Sequence, residues 1–136
     1  MLEQPLTSGA WSLEPVMKLI ATKGVISTEY HQCMYGLTAV GRLGVAPAYK
    51  PTRVLTSNPA LAETLTRRCN GSHRDAQLVG KSACSRAAQY PHGLCDAILK
   101  ATDVIKKTRI EAISLLAEDS VGAGGQTLAM GVFHGC

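Results

Sequence analysis

Aromatic side chains are scarce in this sequence of 136 residues, where four tyrosines, one tryptophan and one phenylalanine make up 4% of the chain. A core must therefore be built mainly from Leu, Ala, Val and Ile, which suits packed helices and buried strands better than an aromatic-rich sandwich. Since 46% of the residues are hydrophobic, a core of useful size is available to one domain or to part of a larger one.

Long apolar runs are also missing. No stretch approaches the roughly 20 apolar residues that a membrane-spanning helix needs. The N-terminus has neither the basic region nor the apolar segment of a secretory signal. The sequence therefore predicts an intracellular chain without a membrane partner, and it leaves the nucleus and the cytoplasm open.

Paired cysteine motifs are the third absence. The five cysteines form an odd set without a CxxC pair or a regular spacing, which argues against a disulfide framework. We expect reduced thiols in a reducing compartment. For the same reason we expect no glycan on the sequon Asn70-Gly71-Ser72.

Acidic residues are outnumbered, because 14 Lys and Arg stand against 10 Asp and Glu and give a net charge of +4. Lys and Arg gain affinity for polyanions by displacing counterions from phosphates, which makes DNA or RNA a candidate partner. The alternative is that these charges are ordinary solvated side chains at helix ends. Two groups are visible: Arg67, Arg68, Arg74, Lys81 and Arg86, and Lys100, Lys106, Lys107 and Arg109.

Hydrophobic periodicity and turn residues predict two strands, three helices and two extended loops. Helix starts are indicated by a proline in the first turn after a capping residue, as at Pro15 and Pro59. The predicted strands are residues 25–30 and 53–56, the helices 11–23, 59–68 and 91–117, and the loops 36–51 and 71–89. The last helix either continues through residue 106 or breaks there.

Strands and helices that alternate over short loops indicate α/β architecture. Too few strands are visible to complete a doubly wound sheet. We predict a partial Rossmann-like sheet of few parallel strands with flanking helices, followed by a helical C-terminal half. In this prediction residues 1–120 form a single α/β domain or domain fragment, and residues 121–136 form a flexible Gly-rich tail.

Two glycine-containing motifs look like nucleotide-binding loops, but neither has the required context. The motif VGKS, residues 79–82, would need a glycine five residues before Gly80, where Asp75 stands, and no strand precedes it. The motif GAGGQT, residues 122–127, lacks the strand-turn-helix setting of a dinucleotide fingerprint. Nucleotide binding is therefore not predicted.

The segment CNGSHRD brings a thiol, an imidazole and a carboxylate together in Cys69, His73 and Asp75. Tetrahedral zinc accepts these donors, and the tight turn at Gly71 would let near neighbours converge. The alternative is a surface loop with a buried cysteine at the end of a helix. A further ligand would come from distant sequence, where the available donors are Cys33, His31, Cys84, His92 and Cys95.

Four stretches carry a resemblance that covers residues 2–100: LEQP…SGAW, HQCMYGL, YKPTRVLTSNPALAETLTRRCNGSH and YPHGLCDAIL. They resemble a region of the long polyproteins of copia-type retroelements and related proteins of unicellular eukaryotes. The order of the motifs is similar to that in the C-terminal part of the catalytic domain of DNA cytosine-5 methyltransferases. The resemblance implies an upstream domain of a larger polyprotein as a partner.

By this resemblance Glu3 corresponds to the glutamate that hydrogen-bonds a flipped cytosine, and Arg53 to an arginine of a later motif. It implies catalytic roles for these two residues and a substrate-facing turn at Tyr35. The three side chains could meet only at the adjoining ends of neighbouring parallel strands. The residues expected to bind substrate are Tyr35, Gly36, Lys50, Arg67 and Arg68.

Two functional hypotheses follow. In the first, the chain is a truncated methyltransferase-like domain with residual nucleic-acid binding. It has no Pro-Cys nucleophile and no Gly-rich loop, so we expect no catalysis by the chain alone, and S-adenosylmethionine only if an upstream segment completes the fold. In the second, the chain is a small zinc-binding module for nucleic-acid interaction, with Cys69, His73 and Asp75 as ligands together with Cys33 or His31. A fragment without a selected role is the remaining alternative.

Overall fold

The computed structural model describes residues 1–121, so the predicted Gly-rich tail at 121–136 lies outside the described residues apart from Val121. Two short 3-10 helices, Gly9–Ser12 and Gln32–Tyr35, supplement the regular elements. In chain order these elements are β1 (Leu2–Pro5), α1 (Glu14–Ile20), β2 (Ile26–His31), β3 (Thr38–Gly41), β4 (Gly44–Pro47), β5 (Pro51–Thr56), α2 (Pro59–Thr64), α3 (Lys81–Ala87) and α4 (His92–Val121).

The main sheet has three strands in the order β1-β5-β2, and both pairings are antiparallel. The prediction of a Rossmann-like sheet of parallel strands is therefore wrong. A parallel neighbour requires a crossover, usually through a helix, whereas β2 returns to β5 through a 3-10 helix and the antiparallel β3–β4 hairpin. β1 and β2 do run in the same direction, but β5 lies between them in the opposite direction.

The predicted positions of several elements are confirmed. β2 and β5 overlap the two predicted strands, and α2 begins at Pro59, where the Asn58 side chain accepts a hydrogen bond from the Leu61 amide at 3.3 Å. The helices are concentrated in the C-terminal half, as predicted. The sequence left open whether the last helix continues or breaks near residue 106, and α4 is one continuous helix through this point.

Two regions that were predicted as loops contain regular structure. Residues 36–51 include the β3–β4 hairpin, and residues 71–89 include α3. Their packing depends on short side chains, because Leu37, Ala48 and Ala87 form a small buried cluster. Alanines give little hydrophobic periodicity, and the sequence pattern therefore did not reveal these elements.

The larger core lies on the face of the main sheet that carries Tyr30 and Val54. Both side chains are almost fully buried and pack with Leu61 of α2 and Leu94 of α4. The rings of Tyr30 and Tyr35 meet edge to face with their centroids 5.4 Å apart. Such a pair contributes about 1 kcal/mol beyond the buried area, so two of the few aromatic residues lie at the centre of the core.

The chain divides into two compact units, Met1–Val104 and Ile105–Cys136. The first unit contains both sheets and the first part of α4. In the second unit the described residues continue this helix, with largely exposed side chains at Ile110, Ile113 and Leu116. Among the helices of the described part, none combines the length and the apolar character needed to cross a bilayer.

Gly93 lets the first turn of α4 approach the backbone of Tyr35, because a Cβ atom here would lie 2.5 Å from the Tyr35 carbonyl oxygen. We expect Gly93→Ala to lower the free energy of unfolding by about 2 kcal/mol through overpacking, as measured by urea denaturation. Gly9→Ala is the control, since its Cβ meets nothing within 4 Å, and should change stability by less than about 0.5 kcal/mol. Equal stability of the two variants would contradict the close approach.

Candidate metal centre

Cys33 is held in the 3-10 helix that follows β2. This helix, Gln32–Tyr35, ends at Gly36, which has a left-handed conformation with a φ of 91°. Glycine adopts this conformation at little steric cost, so the chain can reverse its direction here. The turn buries the side chains of Cys33 and Tyr35 and leaves the Cys33 thiol beside the loop that follows α2.

The loop of residues 65–76 carries the other candidate ligands and is attached to the sheets at both ends. Near its start, the Arg67 carbonyl accepts a hydrogen bond from the His31 amide at 2.9 Å. At its end, the Ala76 amide donates to the Pro47 carbonyl at 2.7 Å. The stretch that contains the candidate ligands is therefore fixed between β2 and β4.

Three donor atoms converge at this loop. The sulfurs of Cys33 and Cys69 and a ring nitrogen of His73 all lie within 4.8 Å of one another. The Cys69 Sγ atom is 3.5 Å from His73 Nε2, and Gly71, with a φ of 76°, turns the chain between them. With Zn–S near 2.3 Å and Zn–N near 2.0–2.1 Å, tetrahedral zinc places sulfur and nitrogen about 3.6 Å apart. The Cys69–His73 distance therefore corresponds to one edge of a tetrahedron.

Asp75 places a carboxylate beside this group of donors. Its Oδ1 atom is 3.0 Å from His73 Nε2, the nitrogen that also faces Cys69. A supporting carboxylate usually binds the other ring nitrogen of a metal-bound histidine, whereas Asp75 contacts the nitrogen that faces Cys69. Asp75 is not within the group whose donors are all 4.8 Å or less apart, and its side chain must turn toward the thiols to complete a tetrahedron.

His31 supports the backbone of Cys69 instead of joining the donor group. Its Nδ1 atom accepts a hydrogen bond from the Cys69 amide at 2.8 Å, which requires the neutral ring. Burial lowers the pKa of His31, and the positive charge of Arg68 lowers it further. The ring also packs edge to face against Tyr49 with the centroids 4.8 Å apart. Of the two distant residues considered as a further zinc ligand, Cys33 faces Cys69 and His73, whereas His31 positions the backbone of Cys69.

The electrostatics around Cys33 favour its protonated thiol over a free nucleophile. Burial, followed by the hydrogen bond and charge of Cys69 and the charge of Asp75, raises the pKa of Cys33 to about 11. Reactive cysteines show the opposite shift. The Gly71 amide donates to Cys69 Sγ at 3.4 Å. A divalent cation would supply the positive charge that both thiolates need.

The other donors that the sequence offered lie elsewhere. The Cys84 thiol is exposed and faces the Leu78 carbonyl at 3.8 Å, and the Cys95 thiol faces the Tyr90 carbonyl at 4.0 Å. His92 is exposed at the start of α4. Within the described part of the chain, none of these three joins a group of metal donors.

Glu3 and Arg53, the residues implied for catalysis, lie on opposite faces of the main sheet. In the β1–β5 register Glu3 pairs with Val54, and Gln4 pairs with Arg53. Paired residues share a face, and neighbours along a strand alternate between faces. Glu3 is therefore on the core face, where Tyr35 also packs, and Arg53 is on the other. The structure does not bring the three expected residues to a common rim.

Each of these two residues has its own intramolecular partners. Glu3 accepts hydrogen bonds from the Tyr90 hydroxyl at 2.7 Å and from Gln32 Nε2 at 3.4 Å. Arg53 Nη2 is 3.1 Å from Glu29 Oε1. Both contacts join segments of the fold, so the two side chains are part of its support.

The residues expected to bind substrate are also engaged within the chain. The Arg67 guanidinium lies 5.5 Å from the centre of the Tyr35 ring, and Arg68 Nη2 is 3.1 Å from Glu29 Oε2. Lys50 Nζ donates to the Ala87 carbonyl at 2.8 Å. These contacts leave the three cations less available to a phosphate than their sequence positions indicate.

Two arginines that the sequence did not mark as site residues line an open groove beside the candidate metal centre. Arg42 lies in the two-residue turn between β3 and β4, and Arg74 lies between His73 and Asp75. The stretch GRLG between two β-branched residues was the signal for this hairpin. Its glycines were interpreted as marks of a loop, and the position of Arg42 was therefore missed.

Comparison with known proteins does not assign the site. The chain matches no family model, no curated protein and no solved structure. The resemblance to retroelement polyproteins and cytosine-5 methyltransferases therefore stays a prediction. The functional interpretation depends on the geometry of this chain.

The Tyr90–Glu3 hydrogen bond should make stability sensitive to alkaline pH. Burial, then the hydrogen bond and charge of Glu3, raises the pKa of Tyr90 from 10.0 to about 12. A group whose pKa is higher in the folded state stabilises the protein below its unfolded pKa, and this contribution is lost as the pH rises from 10 to 12. We expect Tyr90→Phe to lower the free energy of unfolding by about 1 kcal/mol at neutral pH.

Urea denaturation of wild type and Tyr90→Phe at a series of pH values measures this effect. The difference between the two proteins should shrink as the pH rises through the range given above. Tyr49→Phe is a suitable control. The contact of Tyr49 with His31 is an edge-to-face ring contact and not a hydrogen bond, so loss of the hydroxyl leaves it in place. A Tyr90→Phe difference that does not change with pH would contradict the assignment.

Proposed function

We propose that this chain is a small zinc-binding interaction module in which Cys33, Cys69, His73 and Asp75 hold one zinc ion. The observation that carries the proposal is the convergence of the Cys33, Cys69 and His73 donor atoms within 4.8 Å. The two segments that meet are distant in the sequence. The approach of Cys33 to Cys69 is therefore produced by the fold. The approach of His73 and Asp75 to Cys69 follows from their closeness along the chain.

The donor set favours zinc over the other common divalent ions. Two thiolates and an imidazole are typical zinc ligands, whereas magnesium and calcium select oxygen atoms. The Cys69–His73 separation of 3.5 Å also fits a tetrahedral ion. Cys33 is buried while Cys69 is partly exposed, which gives the ion a path of entry from solvent.

We infer a structural role for this ion. The coordination sphere of a structural zinc ion is filled by four protein ligands, whereas a catalytic zinc ion keeps one position for water or substrate. Asp75 lies 3.0 Å from His73 Nε2, and a turn of its side chain toward the thiols would supply the fourth ligand and close the site. The ion would join the turn after β2 to the loop after α2 and would fix the side chains that this loop presents.

The methyltransferase-like hypothesis has less support from this geometry. It requires Glu3, Tyr35 and Arg53 at one rim of a parallel sheet, and the sheet is antiparallel with Glu3 and Arg53 on opposite faces. A phosphate grip by Arg67 and Arg68 also has less support, because both guanidinium groups contact other side chains. The zinc-binding module is therefore the function that we prefer.

Zinc content tests the proposal directly. Full-length protein dialysed against a zinc buffer and then against metal-free buffer should retain close to one equivalent by plasma mass spectrometry. Cys69→Ser should lose most of it, because a serine hydroxyl is not ionised at neutral pH. Cys84→Ser should retain it, because this exposed thiol lies outside the donor group. Equal zinc contents in the two variants, or none in the wild type, would overturn the proposal.

Metal removal should also weaken the fold. A ligand that binds only the folded state stabilises it by about 2.7 kcal/mol when its free concentration is about 100 times its Kd. We expect a chelator to lower the free energy of unfolding of the wild type by an amount of this order and to leave Cys69→Ser unchanged. Urea denaturation with and without zinc measures it. If the chelator lowered the free energy of unfolding equally in wild type and Cys69→Ser, this site could not be the cause.

A further inference from the structure

An open groove of about 870 Å³ lies between the β3–β4 hairpin and the segment of residues 74–79. Three large aliphatic side chains on its walls are mostly exposed: Val40 at 68%, Leu43 at 83% and Val79 at 75%. Exposed aliphatic side chains that gather around one concave surface mark an interaction site more often than chance exposure does. The groove therefore offers apolar surface to a partner.

The same groove carries unpaired positive charge. Arg42 and Arg74 both line it and are exposed, and among the described residues neither makes an ion pair or a hydrogen bond. The acidic residue of the groove, Asp75, is 3.0 Å from His73 and is thus engaged. A partner that enters the groove meets two free guanidinium groups, which favour carboxylates or phosphates.

We propose that this groove binds an extended protein segment in which acidic residues alternate with aliphatic ones. The aliphatic side chains would cover Val40, Leu43 and Val79, and the carboxylates would pair with Arg42 and Arg74. Arginine beside apolar surface is characteristic of protein interfaces. Surfaces that bind single-stranded nucleic acid use aromatic rings on which the bases stack, and no aromatic residue lines this groove.

The inference rests on the proposed zinc site, because Arg74 stands between the proposed ligands His73 and Asp75. An ion that holds both neighbours would fix the backbone of Arg74 and therefore one wall of the groove. Removal of the ion should therefore weaken peptide binding. The groove and the metal centre thus form one assembly.

A displayed library of random peptides, selected on the zinc-loaded full-length chain, tests the inference. The library is first depleted on the double variant Arg42→Glu with Arg74→Glu, which reverses the charge of the groove. Selected peptides are labelled with fluorescein, and their affinity is measured by fluorescence polarisation. We expect enriched peptides to combine Asp or Glu with Leu, Ile or Val, and the double variant to bind them about tenfold more weakly or worse.

The matched control is Lys23→Glu with Arg86→Glu, which changes the net charge by the same amount outside the groove. This control should bind the selected peptides like the wild type, and circular dichroism should show all variants folded. Equal losses in the two double variants would overturn the inference, as would enriched peptides without acidic residues. A labelled oligothymidylate that binds more tightly than the peptides, and does so through Arg42 and Arg74, would assign the groove to nucleic acid and overturn it.

Zinc content is measured on every sample, so that the two proposals can fail separately. Wild type that retains zinc but binds no selected peptide would overturn the groove inference alone. Wild type that binds peptide through the two arginines but holds no zinc would overturn the proposed function. Variant Leu43→Ser adds an uncharged test, since it removes apolar surface at the hairpin turn and should weaken peptide binding without changing zinc content.

Discussion

The attachment of the loop after α2 to the end of β2 is the constraint on which the candidate site depends. His31 makes this attachment twice, because its amide donates to the Arg67 carbonyl and its ring accepts from the Cys69 amide. Each hydrogen bond contributes on the order of 1 kcal/mol, and together they fix the backbone on both sides of Arg68. Cys69 can therefore meet Cys33 although the two are far apart in the sequence.

Tyr35 extends the same constraint into the core. Its ring packs edge to face on Tyr30, while its hydroxyl donates to the Thr64 carbonyl at 2.8 Å and accepts from the Arg67 amide at 3.3 Å. One side chain thus connects the core, the end of α2 and the loop that carries the candidate ligands. The resemblance implied that this tyrosine faces a substrate, but its position is that of a support for the neighbouring site.

The positive charge of the chain is distributed by the fold in a way that composition does not reveal. Glu29 pairs with both Arg53 and Arg68, so a single carboxylate engages one cation that the resemblance assigned to catalysis and one that it assigned to substrate binding. Arg42 and Arg74 instead face a groove with exposed aliphatic side chains. Which cations are available to a partner is therefore a property of the tertiary contacts, and the net charge alone could not identify them.

The sequence by itself determined the local features: β2, β5, the start of α2 at Pro59, and the thiol, imidazole and carboxylate of the CNGSHRD segment. These features depend on residues only a few positions apart, whose preferences are expressed in any fold. The structure alone decided the direction of β5, which is antiparallel to both neighbours, and its register with β1, which places Glu3 and Arg53 on opposite faces. It also decided that Cys33 and not His31 joins the donor group. Strand pairing and ligand convergence depend on contacts between distant segments. The free energy of such contacts cannot be read from the spacing of residues along the chain.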